Sequence, residues 1–443
     1  MDLDIHGETA SEIAESFRAL TERGILRPGD ALPPVRALAE ALGVNRNTAV
    51  AAYRQLTVAG VVESRGRAGT RVIERAPVAQ EGFAADSVLR DVGTGNPDPA
   101  WIPDIATALA TAAGRPVLYG EPVVDAGLER WARQWMSADL GRDVRITVTS
   151  GAADAVERLL AQSLTRDDAV ALEDPCFLAS IHTVRLAGYR PVAVPIDEEG
   201  MTVAGLRAAL EQGVRAVVHT PRAQNPTGAS VTAERATQLR AVLAEHPYVL
   251  VIEDDHFSML SRQPFVSIVG ANHRRWALVR SVSKFLGPDM CLAVTASDPD
   301  TADRLAMRLT PGTTWVSHLL QRLTHALVTD TTSRAQIDAA GSHYAARNRA
   351  FAERATSAGL PARARDGLSL WVELPIAART VAERLMRRGW LVRSGDDFSL
   401  SGDDSSHHVR LTVHDLDDAD AERLIADLVA AVGRDATPRT EVG

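Results

Sequence analysis

Of the 48 basic residues in this 443-residue chain, 47 are arginines and one, Lys284, is a lysine. Drift toward arginine accounts for the 47 but not for where the lysine sits. A guanidinium stays protonated at any working pH and is no amine nucleophile, so chemistry that needs a primary amine has one side chain to use. Lys284 lies in Ser281-Val282-Ser283-Lys284-Phe285-Leu286-Gly287-Pro288, just after the apolar run 277–279. Thirty residues upstream, Asp254 closes the run 249–252, and further back Thr220-Pro221 leads into Asn225-Pro226-Thr227-Gly228. Thr149-Ser150-Gly151-Ala152-Ala153 opens a helical pattern whose first amides and dipole form a ready phosphate site. An amine, an acid, an amide and a phosphate cradle at strand ends suit pyridoxal 5'-phosphate. The amine forms a Schiff base with the aldehyde, and the carboxylate keeps the pyridine nitrogen protonated, which makes the ring an electron sink.

These residues need elements to hold them. Short apolar runs at 169–172, 191–195, 216–219, 249–252 and 277–279 alternate with longer amphipathic stretches. That texture predicts an α/β fold: βα units around a mostly parallel sheet, with ligands at the carboxyl ends of its strands. Long helical patterns follow, then strands at 370–374 and 409–413, which predict a smaller C-terminal α+β subdomain. The expected boundaries are about 120–310 for the large part and 311–443 for the small one, within a unit spanning 93–443. Residues 76–92 read as a linker.

Residues 1–75 read differently. Helical spacing over 10–23, a short helix ending at Gly43 and another from Asn45 to residue 58 precede two β-like stretches around Arg65-Gly66-Arg67. This is the pattern of a winged helix–turn–helix. Residues 34–75 hold seven arginines against three glutamates in a chain of net charge −9, the footprint of a contact with double-stranded DNA. At Arg46, Asn47 and Thr48 helix capping competes with base contact.

The 93–443 region resembles the class I aminotransferase fold, fold type I of the pyridoxal-phosphate enzymes. The resemblance implies Lys284 as the Schiff-base lysine, Asp254 as partner of the pyridine nitrogen and Asn225 as donor to the ring hydroxyl. It also implies Gly151, Ala152, Ser281 and Ser283 around the phosphate and Phe177 near the ring. Tyr119 resembles the tyrosine that reaches the neighbouring subunit's phosphate, and Arg410 the arginine that binds a substrate carboxylate. Residues 1–75 resemble the GntR group through Leu32-Pro33-Pro34-Val35-Arg36-Ala37-Leu38-Ala39 and Val44-Asn45-Arg46-Asn47-Thr48-Ala49-Val50. That puts Arg36, Arg46, Asn47, Thr48 and the wing's Arg67 at an operator, with the 45–58 helix in the major groove. The two modules together are the pattern of the MocR/GabR regulators, with wording nearest the branch concerned with vitamin B6 metabolism.

Three positions depart from that pattern. The arginine of a Ser-Lys-x-x-x-Pro-Gly-x-Arg stretch is Cys291, a cradle glutamine is Ala153, and a tyrosine that supports the ring hydroxyl is His256, which reads equally as a ring contact or as a structural histidine. These changes predict a loosely held cofactor unless Arg280 or Arg222 compensates. The two distant cysteines, Cys176 and Cys291, make neither a disulfide framework nor a zinc site alone, so no metal and a reducing cytoplasm are expected. No apolar run approaches a membrane span. The expectation is a homodimeric regulator of vitamin B6 or amino-acid metabolism, responding to an amino acid, an amine or the cofactor itself. The alternatives are a working aminotransferase and a DNA-binding protein that has lost its cofactor.

Overall fold

The computed structural model describes residues 4–58, 61–64, 69–72, 87–309, 314–400 and 406–433. The chain divides between residues 79 and 80 into two compact units. In the first, α1 (Ala10–Glu22) starts at a capping box in which Thr9 and Glu12 satisfy each other's backbone amides. Helix α2 (Val35–Leu42) follows Pro34 and stops at Gly43, whose φ of 66° suits a residue without Cβ. Helix α3 (Arg46–Val58) is followed by β1 (Val62–Ser64), which pairs antiparallel with β2 (Thr70–Val72). Ile13, Phe17, Leu20, Leu38, Ala49, Ala52 and Leu56 form the shared core of the three helices. The wing tip at 65–68, with Arg67, residues 73–75 and most of the expected linker (76–86 of 76–92) lie outside the described residues.

The second unit opens on β3 (Arg90–Asp91). The strands of its large sheet are β4 (Arg145–Thr149), β5 (Ala169–Asp174), β6 (Arg190–Asp197), β7 (Gly200–Met201), β8 (Ala216–His219), β9 (Leu250–Asp254), β10 (Trp276–Ser281) and β11 (Ala293–Ser297). Their spatial order is β4-β11-β10-β9-β8-β5-β6-β7. From β10 to β6 all pairings are parallel, while β11 runs antiparallel to both β10 and β4. Strand β4 therefore points the same way as the parallel core and delivers Ser150 and Gly151 to the edge where β8, β9 and β10 end. The sequence reading missed β4, β7 and β11: β4 alternates polar and apolar residues, β11 is built of small ones, and β7 has only two residues.

Each face of this sheet is covered by helices. Helices Ala152–Ala161, Leu178–Leu186 and Pro299–Leu309 bury Leu159, Leu160, Ile181, Val184 and Leu305 against Ile252, Ala277 and Val279. On the opposite face Leu128, Met136, Leu206, Leu239 and Leu327 pack against Val217, Val251 and Leu278. A second core forms around β12 (Ser369–Glu373), β14 (Arg393–Ser394) and β15 (His408–Thr412), together with β13 (Trp390–Leu391). Strand β3 pairs with β13, and Val92 is fully buried in that core. Residues 90–92, read as the end of the linker, are thus part of the small subdomain, in a strand too short to show a period. The division between the two cores falls inside the helix Thr331–Ser357: Ile337, Ala340 and Tyr344 join the large core, Phe351 and Ala355 the small one.

Gly341 sits in the middle of that long helix, where a Cβ would overlap the Leu260 carbonyl oxygen and the Arg262 guanidinium. Helix propensity alone gives Gly→Ala a gain of up to about 1 kcal/mol. The close approach reverses the sign, so Gly341→Ala should destabilise the protein by about 1–3 kcal/mol in urea unfolding. A gain in stability would show that the helix stands further from the 260–262 loop.

Candidate functional site

Side chains alternate along a strand, and this alternation sorts the polar residues at the sheet's C-terminal edge. Asp254 follows Ile252 by two, and Ser281 follows Val279 by two; β9 and β10 pair Asp254 with Val279, so Asp254 and Ser281 share one face. Arg280 and Asp255, one residue out of step, lie on the other. On the first face a cavity of about 250 Å³ opens, lined by Ser150–Ala153 and Phe177, with Asn225, Asp254, His256, Ser281, Ser283 and Lys284 around it. The structure therefore brings together ten of the twelve candidates read from the sequence for the site, Tyr119 and Arg410 apart: Lys284, Asp254, Asn225, Gly151, Ala152, Ser281, Ser283, Phe177, His256 and the substituted Ala153.

Lys284 is held by the four-residue helix Ser283–Leu286, and its Nζ donates to the Gly95 carbonyl at 2.5 Å. Gly151 precedes the helix Ala152–Ala161 with φ of 93°, aiming the first turn's amides at the cavity. The Ser281 hydroxyl accepts from the Ser283 amide at 3.1 Å, which closes the loop before the lysine. Asp254 carries the strongest electrostatic signal. Its Oδ1 is buried and has no hydrogen-bond partner. Burial, with Asp255 and Glu173 nearby, pushes its pKa up to about 7. A buried carboxylate oxygen without a donor is costly, and a protonated ring nitrogen would be such a donor.

Arg410 lies mid-strand in β15, fully buried, outside the cavity lining. Its Nη1 donates to Asn225 Oδ1 at 3.0 Å and its Nη2 to the Gly93 carbonyl at 2.7 Å. The first bond turns the amide's oxygen toward the arginine and its NH2 end the other way. Tyr119 is 87% exposed, packs on Trp315 and does not line the cavity of its own chain. Cys291 is exposed, with Sγ 3.6 Å from the Ser150 carbonyl oxygen, at the lip of the cradle.

The compensation expected from Arg222 or Arg280 is not found. Arg222 makes a bidentate pair with Asp255 at 2.8 and 2.9 Å. Arg280 donates to the same carboxylate at 2.8 Å, pairs with Asp139 at 2.6 Å and lies over the Trp135 ring. Both cations are spent on the far face of the sheet, which holds Asp255 ionised, its pKa lowered by Arg280 and Arg222 against the cost of burial. Among the described residues lining the cavity, Lys284 is the sole cation and Asp254 the sole carboxylate. The sequence reading missed Ser180 and Thr183, which also line it. Their spacing of three on the helix after Phe177 was the available signal.

In the first unit, Arg36, Arg46 and Asn47 are exposed and Thr48 is half-buried. The Asn47 amide donates to Asn45 Oδ1 at 2.8 Å, so the capping role falls to Asn45 and leaves the side chains of Arg46 and Asn47 pointing outward. Arg71, by contrast, donates to the Gly29 carbonyl of its own unit.

The family model described as aminotransferase class I and II matches residues 88–428. The chain belongs to this family. A second model, bacterial regulatory proteins of the gntR family, matches residues 9–72. The "Vitamin B6 salvage pathway transcriptional repressor PtsJ" of Salmonella typhimurium is 44% identical over 431 residues, 97% of this chain and the whole of that protein. The "Probable rhizopine catabolism regulatory protein MocR" of Rhizobium meliloti is 24% identical over 343 residues, 68% of each chain. Among solved structures, a kynurenine aminotransferase of Pyrococcus horikoshii superposes with a TM-score of 0.71 at 22% identity, over 79% of this chain and 92% of that one. The family member described here thus joins a GntR module to an aminotransferase fold, and pyridoxal 5'-phosphate is the cofactor that its cavity fits.

The partnerless carboxylate has a consequence for the cofactor-stripped protein. Its folded-state pKa, about 7, lies above the ordinary value of 3.8, so the folded state holds the proton more tightly than the unfolded chain does between those values. That contribution is fully present below pH 3.8 and is lost as the pH rises through 7. Asp254→Asn removes the ionisation, so the variant should melt well above the wild type at pH 8 and only modestly above it at pH 4.5. An equal difference at both pH values would show that Asp254 titrates normally.

Proposed function

We propose that this protein is a transcriptional regulator that binds an operator through residues 1–75 and responds to pyridoxal 5'-phosphate or to a small amine or amino acid combined with it. One observation carries the proposal: a single chain joins a winged helix–turn–helix to a cavity that presents an amine, an acid with one buried, partnerless oxygen and a helix N-terminus together. Similarity along nearly the whole chain to a repressor of vitamin B6 salvage supports control of vitamin B6 metabolism.

In this reading Lys284 would bond the cofactor's aldehyde and Asp254 would hold the proton on its ring nitrogen. Asn225, oriented by Arg410, would donate to the ring hydroxyl beside His256, with Phe177 against the ring. Gly151, Ala152, Ser281 and Ser283 would hold the phosphate. When bound, the cofactor supplies an electron sink that stabilises negative charge developing at the carbon next to the nitrogen of an attached amine. Arg410, whose fork serves Asn225 and Gly93 outside the cavity lining, would anchor the carboxylate of an amino-acid effector only by giving up one of those bonds. A homodimer in which the exposed Tyr119 reaches the neighbouring cradle gives that residue a role which its own chain does not. Because Arg222 and Arg280 are committed to Asp255 and Cys291 stands at the cradle lip, the phosphate would be held by dipoles and hydroxyls, without an arginine. Affinity is then moderate, as suits a sensor of cofactor level.

The second reading, a working aminotransferase, is favoured by one observation: the lysine, the acid and the amide line one cavity, with Arg410 bonded to the amide from behind it. Amino-acid turnover at ordinary enzyme rates, about 1–1000 per second, would support it over regulation alone.

Three measurements test the proposal. Adding pyridoxal 5'-phosphate to the stripped protein should produce a visible absorption band that Lys284→Ala lacks; an unchanged spectrum in both would leave a DNA-binding protein without cofactor. Cys291→Arg should tighten cofactor binding by about 10- to 100-fold, the worth of a charge-assisted bond. No gain would mean that the cradle already holds its phosphate by ion pairing. In gel shifts with the gene's own upstream region, Arg46→Ala should weaken binding at least about tenfold while the absorption band stays. Undiminished binding would displace α3 as the recognition helix.

A further inference from the structure

Helix α3 buries Ala49, Ala52, Tyr53 and Leu56 in the core of the first unit. Its outward face carries Arg46, Asn47, Val50, Arg54 and Thr57, all exposed. Four of these five side chains are polar or charged. The exception is Val50, 45% exposed. It stands one turn after Arg46 and one turn before Arg54, and three residues after Asn47, so all four lie on one stripe.

Valine at this position does nothing for the fold. It lies outside the core, and a β-branched residue lowers helix propensity relative to the alanines around it. Arg46 and Arg54 are exposed one turn to either side of it, and Arg36 is exposed on α2, which fits a polyanion and argues against a purely apolar partner. In the major groove an apolar group of this size has one specific counterpart, the 5-methyl group of thymine, because the other groove-edge features of the bases are hydrogen-bond donors and acceptors. A groove-bound helix reads base edges with its N-terminal turns, and Val50 lies in the second of them.

We infer that Val50 is a specificity-determining residue that reads a thymine methyl group, next to bases contacted by Arg46 and Asn47. The inference rests on the DNA-binding reading above and adds an apolar contact to the polar contacts expected from sequence. Losing one methyl contact should cost about threefold to tenfold in affinity, the worth of burying one methyl group.

The test pairs two deletions of the same contact. A duplex is first selected from a random pool with the full-length protein, and each thymine is then replaced singly by uracil. Wild-type protein should lose about threefold to tenfold at one or two positions and nothing elsewhere. Val50→Ala, which keeps the helix, should bind the parent duplex as weakly as the wild type binds the uracil duplex, with no further loss on uracil. Val50→Thr, which keeps one methyl group, should recover part of the preference for thymine. If the wild type is indifferent to every methyl group, or Val50→Ala keeps the same uracil sensitivity, the inference fails, while the loss seen for Arg46→Ala still supports DNA binding. If no duplex is selected, the DNA-binding reading fails first.

Discussion

A carboxylate at the buried end of a central strand has to find a positive partner or give up its charge. Asp254 meets that constraint with an oxygen that no protein group satisfies, and its pKa is pushed up to about 7. Strand alternation turns Arg280 to the far face, where it and Arg222, from the loop after β8, serve Asp255. The near face is left with an unmatched acid, one amine and a helix N-terminus. That asymmetry is what makes the cavity a receptor for a cofactor with a protonated ring nitrogen and a phosphate.

Regulation by such a site has a simple energetic basis. A ligand that supplies the missing proton donor stabilises the conformation in which the Asp254 end of the site is formed, and it changes DNA affinity only as far as the DNA-competent arrangement binds it differently. A cradle without an arginine would keep the affinity within a range where occupancy follows supply. An arginine at position 291 would favour permanent loading instead, which suits an enzyme better than a sensor.

The residues that meet in the cavity were legible in the sequence because they rest on local signals. A lone lysine after Ser-x-Ser, an aspartate ending an apolar run and a glycine before a helix are each visible within a few residues. The winged module was legible for the same reason, since its caps and breaks (Thr9, Gly43, Asn45) are local. What the sequence hid depends on contacts between distant residues. The Arg410–Asn225 bond spans 185 positions, and the commitment of Arg222 and Arg280 to Asp255 depends on which face each strand residue takes. The strand at 90–91 forms only because Trp390 and Leu391 are there to pair with it. Ser180 and Thr183 enter the cavity because the helix after Phe177 turns that face toward it.

The most direct test of the account is operator affinity measured by fluorescence anisotropy with and without pyridoxal 5'-phosphate, for the wild type and for Lys284→Ala. The account predicts a change of at least about fivefold in the wild type, the lower end of ordinary allosteric coupling, and none in the variant. Equal affinity with and without cofactor in the wild type, at concentrations that saturate the visible band, would contradict it.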